Sequence, residues 1–368
     1  MSAGRRDRDP ESRRLAALHE RLAEAGLDGL LIGHLPNVRY LTGFTGSSGL
    51  LLVLREDDSM LVTDFRYEDQ ATEQLPTGVR PRIARDGLFP ELGEALEARG
   101  APRRLGFEAE HLTVRDRREI GERCGRVAWE DAPPFVEEMR RRKDATELEK
   151  IEKAARIGEA ALKEVLDGVV AGLAEREVAA ELVYRLRRRG SGPLPFEPIV
   201  AAGPRSALPH AEPGERRIEP GDLLLLDFGA SVHGYCCDIT RTVVVGRPEA
   251  WQRELHAAVR EAQEAAIAAV QVGQSTRRVD RAAREVLEKR GWADRFGHGT
   301  GHGIGLEVHE RPRLSRSSEE SLEEGNVVTV EPGVYLSGRG GVRIEDDVVA
   351  CEGGPRALTR FPRALLEL

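Results

Sequence analysis

The stretch GDLLLLDFGASVHGYCCDITRTVVV, residues 221–245, decides the reading of this 368-residue chain. Two long apolar runs flank a glycine-containing turn, which is the pattern of a buried β-hairpin. Asp227 ends the first run, where a charge is costly unless something compensates it. Asp238 follows eleven residues later, and a turn centred on Val232–His233 would make the two aspartates cross-strand partners on one face. Directly opposed like charges destabilise a hairpin, so a cation between them is the economical explanation. The plainer alternative is that one aspartate merely caps the loop.

A second hairpin, NVVTVEPGVYLSGRGGVRIEDDVV at 326–349, repeats the arrangement. Glu331 ends an apolar strand, and a loop centred on Gly338 would set it opposite Glu345, with SGRGG supplying the glycines of a tight loop. Glu345, Asp346 and Asp347 could form a solvated acidic turn, but the alternation of Val342, Ile344 and Asp346 turns at least one of them inward. Each hairpin follows a pair of helices. The spacing predicts helices at 145–167 and 175–189 before strands at 222–228 and 235–245. It then predicts helices at 249–270 and 275–290 before strands at 326–331 and 342–350. Such a repetition points to a site built between two halves.

Between the hairpins lies FGHGTGHGIGLEVHE, 296–310, with His298, His302 and His309. His298 and His302 are four apart, but the alternating glycines make a helix implausible and favour an extended segment that a ligand can approach closely. No GxGxxG register fits, so a dinucleotide loop is not supported. Two Asp, two Glu and one His make an oxygen-rich set with enough ligands for two divalent cations. That chemistry favours Mn²⁺ over a thiolate-type zinc site, and hydrolysis over redox work.

Working outward, a helix at 12–25, strands at 29–33, 49–54, 60–63 and 104–108, and helices at 90–99 and 113–123 describe an α/β domain. DAPPF at 131–135 breaks the pattern, which sets expected domains at 1–135 and 136–368. The length suits two domains, and 40% apolar with 32% charged residues suits a globular chain. A net charge of -8 and a pI near 5.8 argue against a general nucleic-acid binder. Only five of the 55 basic residues are lysine, a bias of composition rather than function. The opening MSAGRRDRDPESRR lacks the apolar run of a secretory signal, and no apolar run reaches the ~20 residues that span a bilayer. The four cysteines form no CxxC pair; adjacent Cys236 and Cys237 would face opposite sides of a strand as buried thiols. A cytoplasmic protein with no membrane or nucleic-acid partner is the expectation.

LPHAEP (208–213), LLLLDFGA…CDITRT (223–242), HGTGHGIGLEVHE (298–310), VEPGVY (330–335) and GVRIED (341–346) together resemble the metallopeptidases of the pita-bread fold, and among them aminopeptidase P and prolidase. NVRYLTGFTGSSG…VTDFRYEDQA resembles the amino-terminal domain of bacterial Xaa-Pro peptidases and creatinase relatives. The resemblance implies a creatinase-like α/β domain followed by an α+β pita-bread catalytic domain with a pseudo-twofold repeat. It implies that Asp227 binds one metal, that Asp238 and Glu345 bridge two, and that His302 and Glu331 complete the other. Glu331 would serve as general base and acid, and His309 would stabilise the tetrahedral intermediate or pass a proton to the leaving nitrogen. His210 and His298 would contact substrate, and Arg343 would orient Glu345 or a substrate carboxylate. The implied cofactors are two Mn²⁺ ions, with Co²⁺ or Zn²⁺ as substitutes. The implied activity is Xaa-Pro aminopeptidase on proline-containing peptides, with Xaa-Pro dipeptidase (prolidase) or a non-peptidase binding member of the fold as alternatives; a homodimer is expected. A non-catalytic binding member would have lost ligands, and a creatinase-like hydrolase would not need the metal set. Methionine aminopeptidases generally lack this amino-terminal domain.

Overall fold

The computed structural model describes residues 10–55, 58–98, 104–125 and 127–368. The opening of the chain, read above for a secretory signal, lies largely outside that set, as does the last residue of the helix expected at 90–99. The chain divides into two compact units between Arg140 and Arg141.

The first unit is a six-stranded mixed sheet in the order β4-β3-β2-β1-β5-β6. Its strands are β1 (Gly29–Ile32), β2 (Leu50–Leu54), β3 (Ser59–Asp64), β4 (Val79–Ala84), β5 (Arg104–Phe107) and β6 (Ala128–Asp131). The helices are α1 (Pro10–Glu24), α2 (Leu35–Thr42), α3 (Glu68–Gln74), α4 (Leu88–Glu97), α5 (Val114–Arg123) and α6 (Phe135–Arg140). The apolar runs at β1 and β2 are buried along their whole length, as central strands covered on both faces require. Two strands had no sequence signal. In β4, VRPRIA carries a proline and two arginines, and β6 is the half-buried AWED. DAPPF, read as the break between domains, leads into α6.

The second unit repeats helix, helix, hairpin. It begins with α7 (Ala145–Leu166), α8 (Glu175–Arg188), β7 (Ile199–Ala202), β8 (Leu223–Val232) and β9 (Tyr235–Val244). Asp144 caps α7 in a reciprocal capping box with Glu147. Ala154, Ala155 and Leu162 of α7 pack on Phe228 and Ile239 of the β7-β8-β9 sheet. The second half comprises α9 (Ala250–Ala268), α10 (Thr276–Lys289), β10 (Gly301–Gly303), β11 (Glu310–Leu314), β12 (Val327–Val330), β13 (Gly333–Leu336), β14 (Gly340–Arg343), β15 (Asp346–Val349) and β16 (Arg356–Ala357). Leu255 and Val259 of α9 join Val279 and Ala283 of α10 in a core with Val328, Val330 and Val348.

The first hairpin corrects the expected register. Val232 pairs with Tyr235, so the turn is His233–Gly234, and Asp227 lies opposite Thr240 while Asp238 lies opposite Gly229. Both turn residues have positive φ, 48° at His233 and 77° at Gly234. A β-branched Val232 is poorly suited to that conformation, so the turn moves one residue on. The slip moves the pairing partner by two residues, an even number, so the aspartates still share a face, now diagonally.

In the second hairpin the register centres on Gly338 as expected, with Val330 opposite Asp346 and Gly333 opposite Arg343. The ladder is broken, however, at Glu331–Pro332 and Ile344–Glu345, giving a five-stranded sheet and a separate two-stranded one. Pro332 has no N–H to donate, and the freed backbone pairs elsewhere. Glu331 N–H donates to Thr300 O at 2.8 Å, and Glu345 N–H donates to Thr240 O at 3.1 Å. The break therefore ties the second hairpin both to the glycine-rich segment and to β9.

The glycines of that segment are required by close approach. A Cβ on Gly301 would lie 2.0 Å from Thr329 O, and one on Gly303 2.2 Å from Arg311 O. Gly301→Ala is expected to destabilise the protein by about 2 kcal/mol or more, since backbone must move to admit the methyl group. Thermal or urea unfolding measures this, and a wild-type midpoint would refute the account.

Candidate active site

Asp227 and Asp238 stand on β8 and β9, His302 on β10, and Glu331 and Glu345 at the two breaks in the second hairpin. All five come together. Possible ligand atoms of Asp238, His302 and Glu345 lie within 4.8 Å of one another. His302 Nε2 is 3.9 Å from Asp238 Oδ2 and 3.6 Å from Glu331 Oε1. Asp227 joins through its charge, which acts on Asp238, Glu331 and Glu345.

Burial dominates the electrostatics. It pushes Asp238 and Glu345 well above the usual carboxylate range, with repulsion from neighbouring acids adding to the shift. Glu331 is pushed up to about 7 by burial, against the pull of Arg343. Burial lowers His302 to about 4, so the ring is neutral at physiological pH. Its Nδ1 faces Gly303 O at 3.0 Å and must carry the proton, which leaves the Nε2 lone pair directed at the carboxylates.

These residues fit a bound divalent cation. Asp227 Oδ1 and Asp238 Oδ1 are buried and have no hydrogen-bond donor. Crowded, buried acid oxygens beside an imidazole lone pair are a donor set that positive charge would satisfy.

Arg343 refines an expectation. Its Nη2 donates to Asp227 Oδ2 at 2.5 Å, and its Nε to Thr240 Oγ1 at 3.3 Å. Thr240 Oγ1 in turn donates to Glu345 Oε2 at 2.6 Å. Arg343 therefore holds Asp227 directly and reaches Glu345 through Thr240. Its Nη1 donates to Tyr335 Oη at 2.8 Å, and Tyr335 Oη lies 2.9 Å from His298 Nε2. His298 Nδ1 faces Gly299 O at 2.7 Å and so bears the proton, making Tyr335 the donor to Nε2. Both ring nitrogens of His298, expected to contact substrate, are thus engaged within the protein. Burial lowers His298 to about 4, which keeps it neutral.

His309 is exposed, with its ring 4.3 Å from that of His302 in an edge-on contact. His210 is exposed in the turn after the short 3-10 helix Gly203–Ala207, near enough for its charge to act on His298 and His309. Sequence reasoning missed Tyr335, which nothing in VEPGVY marks as an Arg343 partner. It also missed Arg313, which pairs directly across from His302 and whose charge adds to burial in lowering His309.

Residues 149–352 match metallopeptidase family M24, and residues 14–142 match the creatinase/prolidase N-terminal domain. A Xaa-Pro dipeptidase of Pyrococcus furiosus is 37% identical over 96% of this chain and 99% of its own length. The structure of a Xaa-Pro dipeptidase from Bacillus anthracis superposes with a TM-score of 0.93 at 37% identity, covering 97% of this chain and 100% of that one. An X-Pro aminopeptidase structure from Thermotoga maritima gives 0.89 at 36% identity, covering 96% and 99%.

The raised carboxylates make a signed prediction. Where the folded pKa exceeds the unfolded one, stability is fully present below the unfolded value and is lost as pH rises through the folded value. For Glu331 that window runs from 4.5 to about 7, and Asp238 and Glu345 extend it upward. A bound cation replaces the protons. Chelation should therefore lower the melting temperature more at pH 8 than at pH 6, as thermal scans with and without Mn²⁺ would report. An equal shift at both values would contradict it.

Proposed function

The chain belongs to metallopeptidase family M24, and on that premise we propose that it hydrolyses the peptide bond before proline in short peptides with a free amino terminus. The observation that carries the proposal is the convergence of Asp227, Asp238, His302, Glu331 and Glu345 on one site. These five would hold two divalent cations, and the hard, oxygen-rich set favours Mn²⁺. When bound, the cations supply Lewis acidity to the scissile carbonyl and to a water.

Glu331, 3.6 Å from His302 Nε2 within the cluster, would take a proton from water and return it to the leaving proline nitrogen. His309 stands at the mouth of the site, where its ring can donate to the developing oxyanion or to the leaving nitrogen. His210, exposed in the turn after Gly203–Ala207, would contact the substrate near the scissile bond. His298 acts through Tyr335, holding Arg343 on Asp227 rather than touching substrate. A free ammonium at the peptide's amino end offsets the local negative charge, and the fixed φ of proline lowers the entropy lost on binding.

Aminopeptidase action was the expectation from sequence, but Arg313 favours dipeptides. It is an exposed cation on the same face as His302, beside His309, and suits the free carboxylate of an Xaa-Pro dipeptide. The relative and the structure at 37% identity both bear the name Xaa-Pro dipeptidase.

Ala-Pro, Ala-Pro-Ala and Ala-Ala-Ala, assayed with Mn²⁺ restored, test the reading. Ala-Pro should be the best substrate, and Arg313→Ala should raise its KM about tenfold while changing Ala-Pro-Ala little. Preference for Ala-Pro-Ala would return the assignment to aminopeptidase, and equal cleavage of Ala-Ala-Ala would remove the proline specificity.

Asp238→Asn should cut turnover by ~100-fold or more, because an amide is a poor metal ligand. It should also raise the melting temperature of the metal-free protein, since one buried charge leaves a repulsive cluster. Glu331→Gln should lose turnover more than substrate binding, with metal content measured on the same sample. Wild-type turnover in either variant at full metal occupancy would refute the assigned role.

A further inference from the structure

Asp346, adjacent to Glu345, is fully buried on the side away from the ligand cluster, and it collects four donors. They are Arg241 Nη2 at 2.8 Å, Gln263 Nε2 at 2.7 Å, Thr359 Oγ1 at 2.6 Å and Arg363 Nε at 2.5 Å. Arg241 is buried as well, at 3% exposure. Besides Asp346 it donates through Nη1 to Thr240 O at 2.9 Å and Glu345 O at 2.6 Å. It also donates through Nη2 to Phe361 O at 2.6 Å and through Nε to Pro362 O at 3.0 Å. The whole guanidinium fork is used, and lysine could not reproduce it.

These bonds surround the point where the backbone of Glu345 leaves its ladder. Its N–H rests on Thr240 O and its carboxylate on Thr240 Oγ1, while Arg241 grips the carbonyls of both residues. The segment 358–363 is stitched to the same place. Asp347 N–H donates to Thr359 Oγ1 at 3.1 Å, Leu358 N–H donates to Asp347 O at 2.8 Å, and Asp347 Oδ2 accepts from Asp238 N–H at 3.1 Å. The family match ends at residue 352, before this segment begins.

We propose that Arg241, Asp346 and the 358–363 segment form a strap that positions Glu345 and Asp238 for metal binding, with Arg241 as the positioning residue. The inference rests on the reading that Glu345 and Asp238 hold a cation. Neither Arg241 nor the segment touches that cation's ligand atoms. The strap acts by fixing the backbone from which those atoms project, so its loss lowers metal affinity and alters ligand geometry without removing a ligand.

Titration of the metal-free protein with Co²⁺, followed by visible absorption, tests this without an activity assay. Arg241→Lys should weaken Co²⁺ binding by ~10–100-fold and change the ligand-field spectrum. Thr359→Val should shift both in the same direction by less. Arg356→Ala, on the neighbouring strand β16, removes the pair with Glu152 of α7 and should leave both unchanged. If Arg241→Lys does not fold, Arg363→Gln carries the test, because that arginine is partly exposed yet donates to Asp346. Folded strap variants with wild-type affinity and spectrum would overturn the proposal, as would an equal loss in Arg356→Ala. Failure of the wild-type protein to bind Co²⁺ would instead overturn the metal-site reading, and the strap with it.

Discussion

Mutual repulsion among buried carboxylates is the constraint on which the second unit depends. Asp227, Asp238, Glu331 and Glu345 crowd one space, and burial with repulsion raises Asp238 and Glu345 far above ordinary carboxylates. The chain offsets part of the charge itself. Arg343 pairs with Asp227 on one flank, and Arg241 pairs with Asp346 behind the cluster. Among the described residues, no arginine or lysine forms an ion pair with Asp238, Glu331 or Glu345. A neutral His302 cannot supply the missing charge. A divalent cation can, and this is why the same residues read as a ligand set and as an unstable arrangement without one.

Much of this was legible because an expensive residue type at the end of an apolar strand requires a compensating partner. Asp227 and Glu331 carried that signal on their own. The alternation of β-strands protected the inference from an error in register. Misplacing the first turn by one residue shifted the pairing by two, and a two-residue shift keeps every side chain on its face. The turn could have been placed correctly from Gly234, which supplies a positive φ where Val232 could not.

What was not legible depends on backbone leaving regular ladders. Nothing in VEPGVY or GVRIED announces that Glu331 pairs with Thr300 and Glu345 with Thr240, yet those two hydrogen bonds bring the hairpins to one site. Tyr335 and Arg241 were hidden for the same reason, since their partners lie far along the chain and follow no local period. In the first unit, the missed strands β4 and β6 have little apolar surface. They are specified by parallel neighbours β3 and β5 rather than by their own composition.

The burial pattern also separates chemistry from selection. Asp238, Glu345 and Arg343 are held on or beside paired strands and are nearly inaccessible, whereas His210, His309 and Arg313 are exposed in turns and on the edge strand β11. A change in an exposed side chain of this kind leaves the backbone that places the carboxylates untouched. Changing the strands would disturb both the register and the close glycine packing at Gly301 and Gly303, so it would remove the chemistry before it altered specificity.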